Sequence, residues 1–314
     1  MSSISQLLKE NNPHEDILAI AGSLGEKENI PTYIVGGYVR DTLLGKSCKD
    51  IDIMVEGDGV AFAKKLAREL KVNVTVDYDK FGTAMIPYPD VEIEVATARI
   101  EKYRSDSRKP EVTSSTIEED MSRRDFTINA IAASLLPSSF GELYDPFGGI
   151  KDLQKGLIIT PLDPDETFSD DPLRMLRAVR FAAQLEYDVA STILESISRN
   201  INRLEIVSWE RIRDEIIKSL TTNKPSIAFY LMKETGLLTH VFPEMDIMSG
   251  VETINGMGHK DVFIHTLQVV DNAAKLSDKM EIRFAALVHD IAKPPTKQFD
   301  TKKGWTFHGH DEIG

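Results

Sequence analysis

The stretch "PTYIVGGYVRDTLLGKSCKDIDIMVEG" (residues 31–57) places two carboxylates inside an apolar strand pattern. "TYIVGG" (32–37) predicts a strand that ends in a glycine turn, and "RDTLLG" (40–45) predicts a short helix. "DIDIMV" (50–55) alternates with a period of two and predicts a second strand. Two like charges on one strand face do not stabilise a domain, so a positively charged partner is expected there.

The two carboxylates are Asp50 and Asp52, whose Cα atoms lie roughly 6.5–7 Å apart on a strand. Without a partner, each charge would raise the pKa of the other and cost stability. Hard oxygen ligands favour Mg²⁺ that is bound jointly with substrate phosphates. Two such ions can activate a hydroxyl and stabilise a departing pyrophosphate. The pair therefore predicts a site for two Mg²⁺ ions.

A phosphate-binding pattern precedes the carboxylates. Gly36 and Gly37 allow the backbone to approach a ligand closely, and the N–H groups that follow suit a triphosphate. Arg40 can supply a fixed cation beside it. Gly-Gly, Arg-Asp and Asp-x-Asp at this spacing are together more specific than any one of them.

Composition describes an ordinary globular chain of 314 residues with 41% hydrophobic and 28% charged residues, which predicts two or three domains. The net charge of −13 argues against nucleic acid as a partner, although a local basic groove can coexist with an acidic remainder. The single cysteine, Cys48, fits a reducing cytosol. No long apolar stretch suits a bilayer, and the first residues lack a signal peptide's apolar core, so no membrane partner is expected.

The remaining periodicity predicts a strand-rich first half and a helical second half. Beyond a helical segment at 1–25, the first half is expected to contain a helix at 59–71, strands at 72–79, 82–88 and 91–99, and helices at 122–136 and within 144–158. From Asp165 onward, helices are expected at 166–185, 188–200, 208–220, 225–237 and 262–276. The composition changes near residues 160–165, which predicts a domain boundary there.

The glycine and carboxylate motifs resemble the nucleotidyltransferase superfamily of DNA polymerase β. Gly36 to Asp41 and Asp50 to Asp52 are similar to the signature of class II tRNA nucleotidyltransferases and bacterial poly(A) polymerases. This resemblance implies that Asp50 and Asp52 hold the catalytic metals. "EVATAR" (94–99) resembles the family strand with a third acidic residue, which assigns Glu94, although Glu92 lies on the same strand face and stays an alternative.

Two further segments carry the resemblance. "RRDFTINA" (123–130) resembles the family's ribose-contacting motif, in which Arg124 and Asp125 are the corresponding positions. An Asp can accept hydrogen bonds from sugar hydroxyls, while Arg suits phosphate or an acceptor edge. "DDPLRMLRAVRF" (170–181) carries Asp171 and three arginines at intervals of three residues, which predicts one broad polar helix face.

The helix face resembles the family's Glu/Asp-Asp-x-x-Arg motif, which acts as a protein template for the incoming base. In this interpretation Asp171 and Arg174 offer an acceptor and donors to the edge of cytosine or adenine and reject G and U. Arg177 and Arg180 reach the triphosphate or hold the template side chains. Asp170 stands where many relatives have Glu, and no role is assigned to it.

The C-terminal part resembles the HD superfamily, which is named for adjacent His-Asp metal ligands. His265, His289 and Asp290 match its first three metal positions and imply a divalent transition metal, and His308 and His310 follow nearby. The pattern's later Asp is expected downstream of Gly314. The ligand set within this sequence is therefore expected to be incomplete.

Together with the predicted strands and helices, these resemblances imply a polymerase-β-like α/β (α+β) head with a mixed sheet, an all-α neck and body, and a partial HD-type helical domain. The expected divisions are an N-terminal helical segment (1–29), the catalytic head (30–160), the base-reading neck (161–220), the RNA-binding body (221–258) and the HD segment (259–314).

The activity that the resemblance implies is template-independent addition of CMP and AMP from CTP and ATP to the 3′ end of tRNA, which we expect in the cytoplasm. Enzymes that add only A or only CC, and poly(A) polymerases, share this chemistry and stay open as alternatives. A rival from another class is an HD-type phosphohydrolase with a nucleotide-binding head. A non-enzymatic RNA-binding protein would not need Asp50 and Asp52.

Overall fold

The computed structural model describes residues 2–10, 12–48, 50–72, 76–78, 82–104 and 107–314. The chain divides into two compact units, each with its own internal contacts. The first consists of Met1–Lys155 with Ile159–Asp163, and the second of Gly156–Ile158 with Pro164–Gly314. Among the described residues, no helix combines the length and apolar character that crossing a membrane requires.

The first unit combines short helices with a large sheet. Its helices are α1 Ser5–Lys9, α2 Glu15–Glu28, α3 Gly37–Leu43, α4 Gly59–Glu69, α5 Ile117–Ser122 and α6 Gly149–Lys155. Its strands are β1 Thr32–Val35, β2 Asp50–Val55, β3 Val76–Tyr78, β4 Thr83–Tyr88, β5 Val91–Thr97, β6 Arg99–Arg104, β7 Ser107–Ser114, β8 Ala132–Ser134 and β9 Leu143–Tyr144. The strands predicted from 50–55, 82–88 and 91–99 are confirmed, while residues 73–75 and 79 of the segment 72–79 lie outside the described residues.

The sheet is mixed, with the strand order β3-β4-β5-β2-β1-β8-β9. β2 and β5 run parallel, whereas the other neighbouring strands pair antiparallel. Alternation along β2 buries Ile51 and Ile53 and leaves Asp50 exposed and Asp52 half-buried. The same alternation along β5 buries its valines and isoleucine and exposes Glu92 and Glu94. One core of the unit therefore lies behind these strands, and the carboxylates face away from it.

Local sequence signals begin several of these helices. The side chain of Asp58 accepts a hydrogen bond from the backbone N–H of Ala61 and caps α4 at 2.9 Å. Thr116 and Glu119 form a reciprocal capping box at the start of α5. The glycine turn after β1 also agrees with the prediction, since Gly36 has a φ of 66° and precedes α3.

The prediction of a helix over 122–136 is wrong. Residues 127–129 form a single 3₁₀ turn, and residues 132–134 form β8, which pairs with β1. Every residue from 130 to 135 is buried, so the apolar run packs on both sides inside the sheet. A short run of this kind has no periodicity that distinguishes a buried strand from a buried helix.

The second unit is almost entirely helical. Its helices are α7 Pro164–Asp170, α8 Leu173–Leu185, α9 Ser191–Asn200, α10 Trp209–Leu220, α11 Ser226–Thr235, α12 Leu237–Val241, α13 Pro243–Asp246, α14 Val262–Leu276, α15 Met280–Val288, α16 Lys293–Thr296 and α17 His310–Ile313. Its short strands pair within the unit and are β10 Leu157–Ile158, β11 Asp188–Val189, β12 Thr253–Ile254, β13 Met257–Gly258, β14 Gln298–Asp300 and β15 Gly304–Thr306.

The helix predicted over 166–185 is broken into α7 and α8. The break falls at Asp171 and Pro172 because a residue before proline is displaced from helical backbone angles. The Asp171 carboxylate then accepts the backbone N–H of Leu173 at 3.2 Å and satisfies the new helix start. The expected combination of a mixed-sheet head and a helical body is confirmed.

Candidate active site

The acidic residues of the sheet lie in register on two neighbouring strands. In the parallel pairing of β2 and β5, Asp50 lies opposite Glu92 and Asp52 lies opposite Glu94. Neighbouring strands are about 4.8 Å apart, so four carboxylates share one patch of the sheet face. A patch of four carboxylates can hold divalent cations through hard oxygen ligands.

A pocket of about 200 Å³ distinguishes the two candidate glutamates. It is lined by Asp52 and Glu94, together with Arg123 and Arg124, but not by Glu92. Burial raises the pKa of Asp52, the nearby Arg124 guanidinium opposes this rise, and the charge of Asp50 adds to it. A cation at this point would remove the cost of keeping Asp52 ionised, so the donor set fits a metal ion.

The glycine turn after β1 and the "RRDFTINA" segment (residues 123–130, called the second motif below) meet beside this pocket. A side chain at Gly36 would place its Cβ 2.6 Å from Nη1 of Arg124, in addition to adopting a strained positive φ. Nη1 of Arg124 also donates to the carbonyl oxygen of Asn129 at 3.4 Å. Position 36 therefore requires glycine, because the Arg124 side chain packs directly against its backbone.

Arg40 is buried in a polar network rather than exposed as a single cation. Its guanidinium donates to both carboxylate oxygens of Asp41 at 2.8 and 2.9 Å, and to Oδ1 of Asn129 at 2.7 Å. Nδ2 of Asn129 in turn donates to Oδ1 of Asp125 at 3.0 Å. Sequence reasoning missed Asn129, whose signal was its position inside the quoted "RRDFTINA" segment.

Asp120 is a second residue that sequence reasoning missed. It is buried at the end of α5 and accepts hydrogen bonds from Nη2 of Arg123 at 2.6 Å and Nε of Arg124 at 3.3 Å. The spacing of three and four residues was the available signal, since such residues are neighbours on a helix. Asp120 therefore fixes both arginines of the second motif at the pocket.

In the second unit, Asp171 occupies the turn between α7 and α8, and Arg174 lies in the first turn of α8. Arg174 donates from Nη1 to the carbonyl oxygen of Thr167 at 3.5 Å. The Asp171 carboxylate is ion-paired with Arg211 of α10, whose Nη2 lies 2.8 Å from Oδ2. Asp171 and Arg174 are both half-buried, so each keeps part of its surface open to a ligand.

The expected polar face of α8 does not extend to Arg180. Arg174 and Arg177 are half-buried, whereas Arg180 is buried and forms an ion pair with Glu215 of α10 at 2.5 Å. Two steps of three residues rotate a side chain by about 120° around a helix, which turns Arg180 toward the neighbouring helix. Its ion pair joins α8 to α10, which is closer to the predicted role of holding the template side chains than to that of reaching the triphosphate.

The HD-type residues form a cluster in the second unit. Among the described residues, one group of three candidate ligands has all its ligand atoms within 4.8 Å of one another, and it consists of His265, His289 and Asp290. Nε2 of His310 lies 3.8 Å from Oδ1 of Asp290, while His308 is exposed. Two imidazoles and a carboxylate suit a divalent transition metal.

The sequence matches models of three families in chain order. Residues 32–159 match the poly A polymerase head domain, residues 186–248 the probable RNA and SrmB-binding site of polymerase A, and residues 262–314 the HD domain. A multifunctional CCA protein of Nitrosococcus oceani is 37% identical over 90% of this chain, which covers 67% of that protein. This chain belongs to the tRNA nucleotidyltransferase and poly(A) polymerase family.

This chain covers different shares of the length of other members of the tRNA nucleotidyltransferase family. The multifunctional CCA protein of Nitrosomonas europaea is 36% identical over 89% of the chain, which spans 65% of that protein. The A-adding tRNA nucleotidyltransferase of Geobacter sulfurreducens is 34% identical over 84% of the chain, which spans only 28% of it. The chain thus spans about two thirds of the multifunctional relatives and a smaller part of the A-adding one.

Solved structures of tRNA nucleotidyltransferases share the fold. A CCA-adding enzyme in its apo form II superposes with a TM-score of 0.73 at 33% identity and covers 91% of this chain, which covers 66% of that structure. The Thermotoga maritima CCA-adding enzyme in complex with tRNA also has a TM-score of 0.73, at 31% identity, with 91% and 65% covered.

Proposed function

We propose that this chain carries the catalytic core of a nucleotidyltransferase that adds CMP and AMP from CTP and ATP to the 3′ end of tRNA. The observation that carries the proposal is the register of Asp50 and Asp52 with Glu92 and Glu94 on parallel strands, beside an arginine of the second motif. Relatives named multifunctional CCA proteins, at 36% and 37% identity over most of the chain, support it.

Each part of the head has a proposed role in this reaction. Asp50, Asp52 and Glu94 would hold two Mg²⁺ ions, which supply Lewis-acid activation of the RNA 3′-hydroxyl and charge neutralisation at the pyrophosphate. Arg124 binds phosphate or ribose beside Gly36, where the backbone has no side chain to exclude the nucleotide. Arg40 and Asp125, linked through Asn129, hold the turn and the second motif together.

Base selection is assigned to the second unit. Asp171 accepts a hydrogen bond from the amino group that cytosine and adenine both carry, and Arg174 donates to their ring acceptors. Guanine and uracil present a carbonyl where the amino group is needed, so a fixed carboxylate disfavours them. Arg177 binds the triphosphate or supports these residues, while the buried Arg180 holds α8 on α10.

The partners follow from the same proposal. Related CCA-adding enzymes have been solved in complexes whose names include tRNA, ATP and CTP. We take these as the ligands of this chain as well, with the residues matching the RNA-binding model, 186–248, gripping the tRNA in the cytoplasm.

The experiment supplies the purified chain and Mg²⁺ with tRNA that lacks CCA, tRNA that ends in CC, or an unrelated RNA, and offers each labelled NTP separately. We expect CMP to enter the first tRNA, AMP to enter the second, and the unrelated RNA to stay unextended. Asp50→Asn and Asp52→Asn should each lower kcat by about 10³-fold, because a lost metal ligand costs several kcal/mol of transition-state stabilisation. Their melting temperatures should stay near that of the unsubstituted chain.

The same assay separates the alternatives within the family. AMP addition to the CC-ending tRNA alone would indicate an A-adding enzyme, the activity named for the Geobacter sulfurreducens relative. CMP addition alone would indicate a CC-adding enzyme. Extension of the unrelated RNA by many A residues would indicate a poly(A) polymerase, and near-normal turnover by an Asp52→Asn variant would contradict the metal site.

A second candidate activity, hydrolysis of phosphate esters, is favoured by the cluster of His265, His289 and Asp290. A cavity of about 720 Å³ borders His265, and its charged lining residues are lysines and histidines, which suit an anionic ligand. Release of phosphate from nucleotide monophosphates and cyclic nucleotides, with Ni²⁺, Co²⁺ or Mn²⁺ added, tests this activity. Failure of His289→Ala to abolish the release would separate it from the HD segment.

A further inference from the structure

Arg211 contacts the carboxylate that the proposed function assigns to base recognition. It lies in the first turn of α10, and its Nη2 is 2.8 Å from Oδ2 of Asp171, with Nη1 3.5 Å from Oδ1. The two terminal guanidinium nitrogens therefore each face one carboxylate oxygen, a paired arrangement that orients the plane of the carboxylate as well as its distance.

A second contact holds the same carboxylate. Oδ1 of Asp171 accepts the backbone N–H of Leu173 at 3.2 Å, at the start of α8. The terminal torsion of an aspartate is otherwise broad and can present either oxygen. With one contact to its own helix and one to α10, the Asp171 carboxylate keeps a single orientation.

The support beneath Arg211 is itself rigid. One turn further along α10, Glu215 forms an ion pair with Arg180 of α8 at 2.5 Å, and both side chains are under a tenth exposed. This buried pair holds α10 against α8. It therefore helps to fix the backbone of Arg211 relative to that of Asp171. Helix α8 and the turn before it are thus joined to α10 by two ion pairs, one between Arg180 and Glu215 and one between Asp171 and Arg211.

We propose that Arg211 is a positioning residue that sets nucleotide selection through Asp171. Arg211 keeps the Asp171 carboxylate turned so that its remaining acceptor positions meet the amino group of cytosine or adenine. A carboxylate that could rotate would accept less well from that amino group and would also admit water between itself and a wrong base. This inference rests on the proposed function, because it names a residue that acts on the same base-reading pair.

Two other interpretations of Arg211 are available. The pair is partly open to solvent, with side-chain exposures of 42% for Arg211 and 22% for Asp171, and exposed ion pairs contribute little to stability. Alternatively, Arg211 could bind RNA or triphosphate directly. Both interpretations predict that replacing Arg211 affects the four nucleotides alike, whereas positioning of Asp171 predicts a selective effect.

The test measures kcat/KM for CTP, ATP, UTP and GTP with tRNA acceptors in Arg211→Met and Arg211→Lys. Arg211→Met should lower the values for CTP and ATP about tenfold, as expected when one charge-assisted contact is lost, and should change those for UTP and GTP less than about twofold. Arg211→Lys keeps the charge but not the paired geometry, and should fall between Arg211→Met and the unsubstituted chain.

Arg213 supplies the matched control on the same helix. It is 65% exposed and pairs with its neighbour Asp214 rather than with Asp171. Arg213→Met removes the same charge within two residues, so it should leave the ratios among the four nucleotides unchanged.

A double-mutant cycle decides whether Arg211 acts through Asp171. In an Asp171→Ala background, Arg211→Met should cause no further change in kcat/KM for any nucleotide. A further loss in that background, or an equal loss for all four nucleotides in Arg211→Met, would overturn this inference but not the proposed function. Absence of CMP and AMP addition by the unsubstituted chain would instead contradict the proposed function itself.

Discussion

Asp52 and Glu94 lie opposite each other across two parallel strands, while Glu92 lies opposite Asp50. The sequence alone left Glu92 and Glu94 as alternatives because a period of two puts both on one face. The strand register and the pocket support Glu94, since only this glutamate lines the pocket with Asp52. A single substitution at each position can test this assignment, because both side chains are exposed and neither supports the core.

We predict that Glu94→Gln lowers kcat for CMP addition by about 10²-fold or more, while Glu92→Gln changes it less than about threefold. Glutamine keeps the size of the side chain but removes the charge that a metal ion requires. The measurement is kcat at saturating Mg²⁺, together with the Mg²⁺ concentration for half-maximal rate. A larger loss in Glu92→Gln than in Glu94→Gln would assign the role of the third carboxylate to Glu92.

A second prediction concerns Asp171 and Arg174. Asp171→Ala should cost about 1–3 kcal/mol of transition-state stabilisation with CTP and ATP, because the amino group of the base loses its acceptor. Arg174→Ala should cost a similar or larger amount, and UTP and GTP should change little, so discrimination narrows. Values of kcat/KM for all four nucleotides check this. A uniform fall would mean that α8 binds triphosphate without reading the base.

The helices and strands that were predicted correctly are those with a clear periodicity or a clear stop signal in the sequence. β2 was predictable because its two faces alternate, and α4 because its apolar residues recur at helical spacing after a capping Asp58. β8 was not predictable, because its residues are buried on both sides. The position of Arg180 was also hidden, since the sequence shows its spacing but not that Glu215 of another helix lies against it.

The site itself was predictable in part for the same physical reason. Asp50 and Asp52 can be recognised in the sequence because they are charges in an apolar strand pattern. Asn129 and Asp120 cannot, because an amide and a carboxylate at a helix end are usually surface residues, and the sequence does not show that these two are buried. Their roles depend on partners from other segments, namely Arg40 for Asn129 and the arginine pair for Asp120.

Arg283 of α15 joins three helices of the second unit and gives a prediction on stability. Its side chain is buried and donates to backbone carbonyls and one carboxylate, from Leu220, Thr222, Ala274, Ser277 and Asp278. Arg283→Met should lower the free energy of unfolding by about 3 kcal/mol, because buried carbonyls lose their donors. Urea unfolding measures this loss.

The exposed Arg213 is the control for this stability change. Arg213→Met should lower the free energy of unfolding by less than about 0.5 kcal/mol, since its ion pair with Asp214 is solvated. An Arg283 variant as stable as the Arg213 variant would mean that water replaces the buried guanidinium without cost.

For the whole molecule, nucleotide addition and any HD chemistry are expected to be separable. His289→Ala combined with Asp290→Asn should leave kcat for CMP addition within about twofold, because the carboxylates proposed for catalysis belong to the first unit. The same change should abolish binding of Ni²⁺ or Co²⁺ to the HD cluster, measured by calorimetry. His240→Ala with His308→Ala, two exposed histidines outside the cluster, is the matched control.

Loss of CMP addition in a folded double variant would contradict this separation. The melting temperature distinguishes that outcome from unfolding, because Asp290 is buried and pairs with Lys293 at 2.7 Å. Retained metal binding would mean that His265 and His310 suffice as ligands.

The order of strands in the sheet has a consequence for synthesis on the ribosome. β2, β4 and β5 all lie between residues 50 and 97, so the acidic face can assemble as soon as that segment emerges. β1 pairs with β8 through Val35 and Ala132, so this contact must wait until residue 132 has been synthesised and closes a loop of almost a hundred residues. Closing so long a loop is slow. A nascent chain should therefore assemble the proposed Mg²⁺ site before Gly36 and Arg124 come together at the proposed nucleotide site.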